Sequence, residues 1–109
     1  MTAEEIFQMI EQVRLPFAYH HFAEGETPDL PYLIYTYPGS IPYAADDQVF
    51  VQGMQLQIEL YSEKRDLSIE HQIETVLDGS GLVYWKSEVY IESEKLYEII
   101  YETEVAVMG

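Results

Sequence analysis

The sequence contains three histidines, whose imidazole nitrogens could bind a metal ion such as zinc. His20 and His21 are adjacent, so in an extended strand their side chains point to opposite faces and do not easily chelate one ion. His71 falls on the polar side of a predicted helix. A three-histidine site needs the fold to bring distant rings together, and we therefore expect partly exposed histidines and no metal ligand.

Carboxylates offer a second chemistry, that of a general acid and base. Glu98, Glu102 and Glu104 share one face of the last predicted strand, but nothing marks one of them as desolvated, which a catalytic acid needs. Asp46 and Asp47 resemble half a calcium loop but lack its alternating oxygen ligands and its closing glutamate. We therefore predict that these carboxylates are solvated or face an interface.

Nucleophile and phosphate-binding patterns are missing from the sequence. There is no GxGxxG, P-loop, GxSxG or HExxH motif, and the absence of cysteine excludes thiolate chemistry. Ser80 lies between two glycines, but it follows a predicted helix, whereas the serine of a nucleophile elbow follows a strand. Our interpretation is that the protein is not an enzyme, with no catalytic, cofactor-binding or metal residue and no cofactor. A small hydrolase is the least favoured of three hypotheses for the function, because it would need a pocket with a group of perturbed pKa.

Size and charge limit the class of protein and its possible partners. The chain has 109 residues, 48% of them hydrophobic, which predicts one globular domain spanning 1–109. Twenty Asp and Glu against five Lys and Arg give a net charge of −15. This charge repels phosphate backbones and anionic membranes, so we expect no direct nucleic-acid affinity and no membrane partner. No apolar run approaches the roughly 20 residues of a membrane helix, and synthesis in the cytoplasm is expected.

The sequence predicts two helices. Thr2 and Glu5 form a capping box at the start of a predicted helix 2–14, which ends before Pro16. A second helix is predicted at 67–78, with Asp66 as its N-cap. Either Gly79 or Gly81 closes this second helix.

The strongest strand pattern is residues 54–61, where apolar even-numbered positions alternate with polar odd-numbered ones. Gly53 interrupts the strand just before this run, and an isolated glycine there predicts a β-bulge. A four-residue polar turn predicts a hairpin near the end of the chain. Residues 48–52 are predicted to begin the same strand as residues 54–61, and further strands are predicted at 17–22, 32–37, 82–91 and 96–107.

Two stretches depart from simple alternation. Residues 32–37 are largely apolar or aromatic on both faces, which predicts a strand covered on both sides, or one with a core face and a subunit contact. Residues 38–47 contain two prolines and a glycine, so we expect no regular strand in their first half. Long loops of this kind tend to be functional or mobile.

Together the elements predict the α+β fold class, with the order α-β-β-β-α-β-β in a single domain. We expect a mostly antiparallel sheet of about five strands with two helices packed on it. No internal repeat, low-complexity tract or linker divides the sequence.

Five segments follow one another in a recognisable order: LPYLIY (30–35), AADD (44–47), IELYSEKRD (58–66), EHQIETVL (70–77) and YIESEKLYEIIYE (90–102). In this order and spacing they resemble a family of small proteins encoded by phages and prophages of Gram-positive bacteria. Proteins of that family are described as tail-completion, tail-terminator or head–tail joining components. The resemblance covers nearly all of the chain from residue 30 onward.

This resemblance implies a non-enzymatic structural or assembly protein that acts by protein–protein contacts, in the cytoplasm of the bacterial host and in the virion. Its expected partners are other phage tail or connector proteins and copies of itself in a ring, where a heterologous interface repeats until it closes. Carboxylates lining the ring could let DNA slide through without being gripped. The candidate interface residues are Pro42, Tyr43, Ala45, Asp46, Asp47, Glu98, Glu102 and Glu104.

A different class of function also fits the charge. An acidic binding module, either a DNA mimic or an inhibitor of a basic host protein, would use the carboxylates as its recognition surface. Capture of a basic partner that dissociates in moderate salt would favour this alternative, whereas capture of a tail-tube protein would favour the virion component.

Overall fold

The structure is a computed structural model that describes residues 1–41 and 51–108. These residues form two helices and six strands in the order α-β-β-β-β-α-β-β. Their bounds are α1 Ala3–Glu11, β1 Phe17–Tyr19, β2 Tyr32–Thr36, β3 Ser40–Ile41, β4 Val51–Ser62, α2 Leu67–Gly79, β5 Tyr84–Ile91 and β6 Leu96–Met108.

The strands form one sheet in the order β1-β2-β4-β6-β5, with β3 paired to β4. All pairs are antiparallel except β1 with β2. The longest ladder joins β4 to β6, from Val51 opposite Met108 to Ser62 opposite Tyr97. The predicted α+β class, two helices and mostly antiparallel sheet are confirmed, although the sheet has six described strands instead of about five.

The additional strand is β3, in a stretch for which no regular strand was expected. Ser40 pairs with Met54, Ile41 pairs with Gly53, and the Gln55 amide donates to the Gly39 carbonyl at 2.9 Å. A two-residue pairing needs only a few backbone bonds, so the neighbouring proline and glycine limit its length without preventing it.

The bulge predicted at Gly53 is wrong. Gly53 pairs with Ala106, and the residues on either side pair with Val105 and Val107 in unbroken register. Because β6 continues as a long regular strand, its ladder of backbone hydrogen bonds keeps β4 regular through the glycine.

Both helices cover one face of the sheet. The alternating residues of β4 point into this core, where Leu56, Ile58 and Leu60 are buried. Ile99 and Tyr101 of β6 are also fully buried. The helices contribute Ile6, Met9, Ile10, Ile73 and Leu77. Each such apolar side chain stabilises the fold by roughly 1.5–3 kcal/mol on burial.

The helix ends follow the predicted capping chemistry. The Glu5 amide donates to the Thr2 hydroxyl at 3.1 Å, and the Thr2 amide donates to the Glu5 carboxylate at 2.8 Å. Asp66 accepts from the first turn of α2, and Gly81, at φ +73°, ends that helix. However, α1 ends at Glu11 instead of residue 14, because Arg14 has φ +64° and the chain leaves the helix through tighter turns.

The first strand is also shorter than the predicted 17–22. It ends at Tyr19, because His20 has φ +68° and the His21 amide donates back to the Tyr19 carbonyl at 2.7 Å. β2 is covered on both sides, as predicted: Leu33 and Tyr35 lie in the core, and Ile34 is buried on the opposite face.

Candidate interaction surface

The face of the sheet opposite the helices carries polar and acidic side chains, and we call it the outer face. Paired residues share a face, so the register aligns side chains from neighbouring strands in rows across it. Phe22 and Tyr32 contact each other edge to face, with 5.2 Å between ring centres, and cover its β2 side. The rows across β4, β6 and β5 are Tyr61–Glu98–Val89, Glu59–Ile100–Ser87 and Gln57–Glu102–Trp85, followed by Gln55–Glu104.

The structure places the predicted glutamates Glu98, Glu102 and Glu104 together on the outer face, and adds Glu59 from β4. Sequence reasoning did not include Glu59, because only the β4–β6 register brings it beside the others. The signal that could have placed Glu59 on this face is the run 54–61, where the polar residues occupy odd-numbered positions. The chain's five Lys and Arg residues all lie off this face, at Arg14, Lys64, Arg65, Lys86 and Lys95.

Tyr61 joins two of these carboxyl groups. Its hydroxyl lies 2.9 Å from Glu98 Oε2 and also contacts Glu59 Oε2, while Gln57 Nε2 donates to Glu59 Oε1 at 2.8 Å. Burial and the neighbouring Glu59 carboxyl raise the pKa of Glu98, although the hydrogen bond from Tyr61 opposes this shift. Burial, together with its two carboxylate neighbours, raises the pKa of Tyr61. Glu98 is therefore the partly buried member of this glutamate row, which the sequence alone did not distinguish from the others.

A groove of about 270 Å³ crosses the outer face beside these residues. Trp85 stands at its β5 end, with 63% of its surface exposed, and lies directly across from Glu102. Among the described residues, no side chain forms a hydrogen bond or an ion pair with Glu102 or Glu104. The groove is lined by Pro38, Gln55, Leu56, Gln57, Trp85, Glu102, Thr103 and Glu104.

Both ends of the sheet expose hydrophobic side chains. At the β5 edge these are Val83, Val89 and Tyr90, whereas the exposed Trp85 of the same strand lies on the outer face beside Glu102. At the β1 edge, Tyr19 is 50% exposed and stacks edge-on against Tyr35, and the exposed Phe7 of α1 contacts Phe17. The two edges therefore carry different apolar patches at opposite ends of one sheet.

An ion network centred on the buried Glu70 connects β5 to α2 on the helix side. Glu70 is only 1% exposed, and its carboxylate accepts two bonds of 2.8 Å from Arg65 and lies 2.8 Å from Lys86 Nζ. The hydrogen bonds from Arg65 hold the pKa of Glu70 below its usual value against the effect of burial. Lys86 and Tyr101 also donate to Glu74, at 2.6 and 2.8 Å. These groups satisfy one another, so the network anchors the edge strand.

The histidines are arranged differently from the prediction. Because the strand ends at Tyr19, His20 and His21 do not point to opposite faces, and their Nδ1 atoms lie 2.8 Å apart in an exposed pair. His71 is exposed on α2, and Ser80 is the C-cap of that helix. Within residues 1–41 and 51–108, no three His, Asp or Glu side chains are grouped so that they could hold a metal ion.

Part of the predicted interface lies outside the described residues. This applies to Pro42, Tyr43, Ala45, Asp46 and Asp47, which belong to the second half of the predicted loop 38–47. The surface described here therefore consists of the outer face and the two sheet edges.

Sequence comparison gives no relative for this chain. No family model matches it, and no curated protein matches it in sequence. In the part of the chain that the structure describes, neither helix is long and apolar enough to cross a membrane.

Proposed function

We propose that this protein is a non-enzymatic structural or assembly component of a phage or prophage, of the tail-completion, tail-terminator or head–tail joining kind. It is made in the cytoplasm of the bacterial host and joins the virion through contacts with other tail or connector proteins. The sequence resemblance suggests this class. The observation that supports it in the structure is the pair of different apolar patches at opposite edges of the sheet.

Two unlike patches are what a ring requires. In a heterologous interface, one surface of a subunit contacts a different surface of the next, and the repeat closes into a ring if the rotation allows it. In this protein the β1 edge of one copy would contact the β5 edge of its neighbour. Aromatic residues, which both edges carry, are enriched in protein interfaces.

Light scattering after size exclusion tests the ring, with and without a tail-tube protein. Tyr19→Ser and Tyr90→Ser each remove one exposed aromatic ring from one edge, and either change alone should shift the chain toward monomers. Leu67→Ser is the matched control, because Leu67 is 68% exposed and belongs to α2 and to neither edge strand.

Mixing the two edge variants sharpens this test. Each variant retains one intact edge, so the mixture can form one native contact per pair and should stop at dimers. Larger rings from the mixture, or a native chain that stays monomeric at high concentration and ignores tail tubes, would contradict the proposal.

The acidic binding module is the second candidate, and the outer face supports it. Four carboxylates and none of the five Lys or Arg residues lie there, which is the charge pattern of a surface that attracts basic proteins. A pull-down from host lysate separates the candidates. A basic nucleic-acid-binding protein that dissociates in moderate salt would favour the module, and a tail-tube protein would favour the virion component.

A further inference from the structure

We propose that the groove beside Trp85 binds an arginine side chain of a partner protein that docks across the outer face. The inference shares with the second candidate function the use of the outer face as a contact surface, and it does not depend on the ring. It assigns this face to a cationic partner, whereas the two sheet edges are assigned to neighbouring copies of the same chain.

The chemistry of the groove selects a cation. Glu102 and Glu104 supply two carboxylates that no described side chain neutralises, and Gln55 and Gln57 add amide oxygens as acceptors. None of the chain's five Lys and Arg residues lies on this face. A second copy of so acidic a chain does not complement this surface, and a nucleic-acid backbone is repelled by it.

The geometry favours arginine among cations. Trp85 stands directly across from Glu102 in the β5–β6 ladder, so an aromatic face and a carboxylate are neighbours on the same surface. A guanidinium group is planar, stacks on aromatic rings and donates two parallel hydrogen bonds to a carboxylate. A lysine ammonium gains attraction to the ring but lacks the planar fork. Tryptophan is also the aromatic residue that binds cations best.

The position of the groove also leaves it accessible to a partner protein. The groove opens on the side of the sheet away from α1 and α2, and 63% of the Trp85 surface is exposed. The groove runs across three strands, from Trp85 on β5 past Glu102 on β6 to Gln57 on β4. A partner segment lying over the face can therefore insert one long side chain without displacing any part of the described fold.

Tryptophan fluorescence tests this binding directly, because Trp85 is the only tryptophan in the chain. The probe is a short peptide of alternating threonine and arginine, titrated into the full chain at low salt. We expect a saturable change in Trp85 emission. The same peptide with neutral citrulline in place of arginine should give no saturable change, and the lysine peptide should bind about two- to fivefold more weakly.

Charge-matched variants separate a groove from general attraction. Glu102→Gln with Glu104→Gln should weaken arginine-peptide binding about fivefold or more, since two charge contacts are lost. Glu92→Gln with Glu94→Gln removes the same charge from the exposed β5–β6 turn and should change the affinity less than twofold. Equal losses in both double variants, or no saturable fluorescence change, would overturn the proposal.

Failure of this inference is distinguishable from failure of the ring. Glu102→Gln with Glu104→Gln leaves both sheet edges intact and should not reduce self-association measured by light scattering. If the chain forms rings but does not bind the peptide, the groove proposal fails and the proposed function stands. If it binds the peptide but remains monomeric with and without tail tubes, the proposed function fails and the groove remains as a cation site.

Discussion

At the residue scale, the hydroxyl group of Tyr61, which has one hydrogen to donate, contacts two carboxyl groups. It lies in hydrogen-bonding distance of Glu59 and Glu98, and it can donate to only one of them at a time. The second contact becomes favourable when one carboxyl group carries a proton. The raised pKa of Glu98 agrees with this geometry, since burial and the Glu59 carboxyl both disfavour its charged form.

Glu98→Gln should therefore change how stability depends on pH. A raised pKa means that the folded chain binds more protons than the unfolded chain, so native stability falls as pH rises from about 4.3 through the folded pKa. The variant lacks this loss and should gain stability relative to the native chain over that window, by up to about 1 kcal/mol.

Urea unfolding at a series of pH values measures this effect. Glu102→Gln removes one carboxylate from an exposed position of the same face and is the charge-matched control. If the native chain instead gained stability over Glu98→Gln as pH rose, the proposed proton on Glu98 would be wrong.

Glu70→Gln should be among the most destabilising polar substitutions. It removes the charge of a side chain that is 1% exposed and leaves Arg65 and Lys86 without their shared partner. Both cations are about one-third exposed, so water can compensate in part, and we expect a loss of about 2–4 kcal/mol. Urea unfolding at neutral pH measures it, with Glu92→Gln in an exposed turn as the control. A loss below about 0.5 kcal/mol would show that the network contributes little.

At the element scale, the helices and the final hairpin could be predicted because their signals are local. Asp66 marks the start of α2 in the sequence, either Gly79 or Gly81 marks its end, and a four-residue turn joins β5 to β6. Errors arose where tertiary pairing decides the outcome. Gly53 stays in a regular ladder because β6 runs past it, and Ser40 forms a strand because β4 offers it a partner.

The difference between local signals and tertiary pairing also explains which residues of the outer face could be predicted. Glu98, Glu102 and Glu104 could be assigned to one face from alternation within a single strand, whereas Glu59 required the register between two strands. Glu70 also escaped prediction. A glutamate on a helix reads as solvent-exposed, and only its position opposite Arg65 and Lys86 allows it to be buried.

Thr2→Ala tests the most local of these elements. The change removes the hydroxyl that accepts the Glu5 amide and disrupts the capping box of α1. The expected loss of stability is about 1 kcal/mol, with most of the helix retained because Ile6 and Ile10 stay buried in the core. Thermal unfolding followed by circular dichroism measures it, and Thr2→Ser is the matched control because serine caps equally well. Equal melting of the alanine and serine variants would contradict a role for the cap.

At the scale of the whole molecule, the charge is distributed unevenly. Two of the five cations, Arg65 and Lys86, are bound to Glu70, Glu74 and Glu88 on the helix side of the sheet. The carboxylates of the outer face have no Lys or Arg among them. A net charge of −15 therefore has two consequences: copies of the chain repel one another, and cationic partners are attracted to one particular face.

Salt should act in opposite directions on the two proposed contacts. Contact between the sheet edges is apolar and is opposed by repulsion between acidic subunits, so screening this repulsion should strengthen self-association. Contact between the groove and arginine is attractive, so the same screening should weaken it. Light scattering and Trp85 fluorescence, measured over one salt series on the same preparation, give both trends. If both contacts weakened in parallel, the edges would also be held by charge, and the division of the molecule into apolar edges and an acidic face would be wrong.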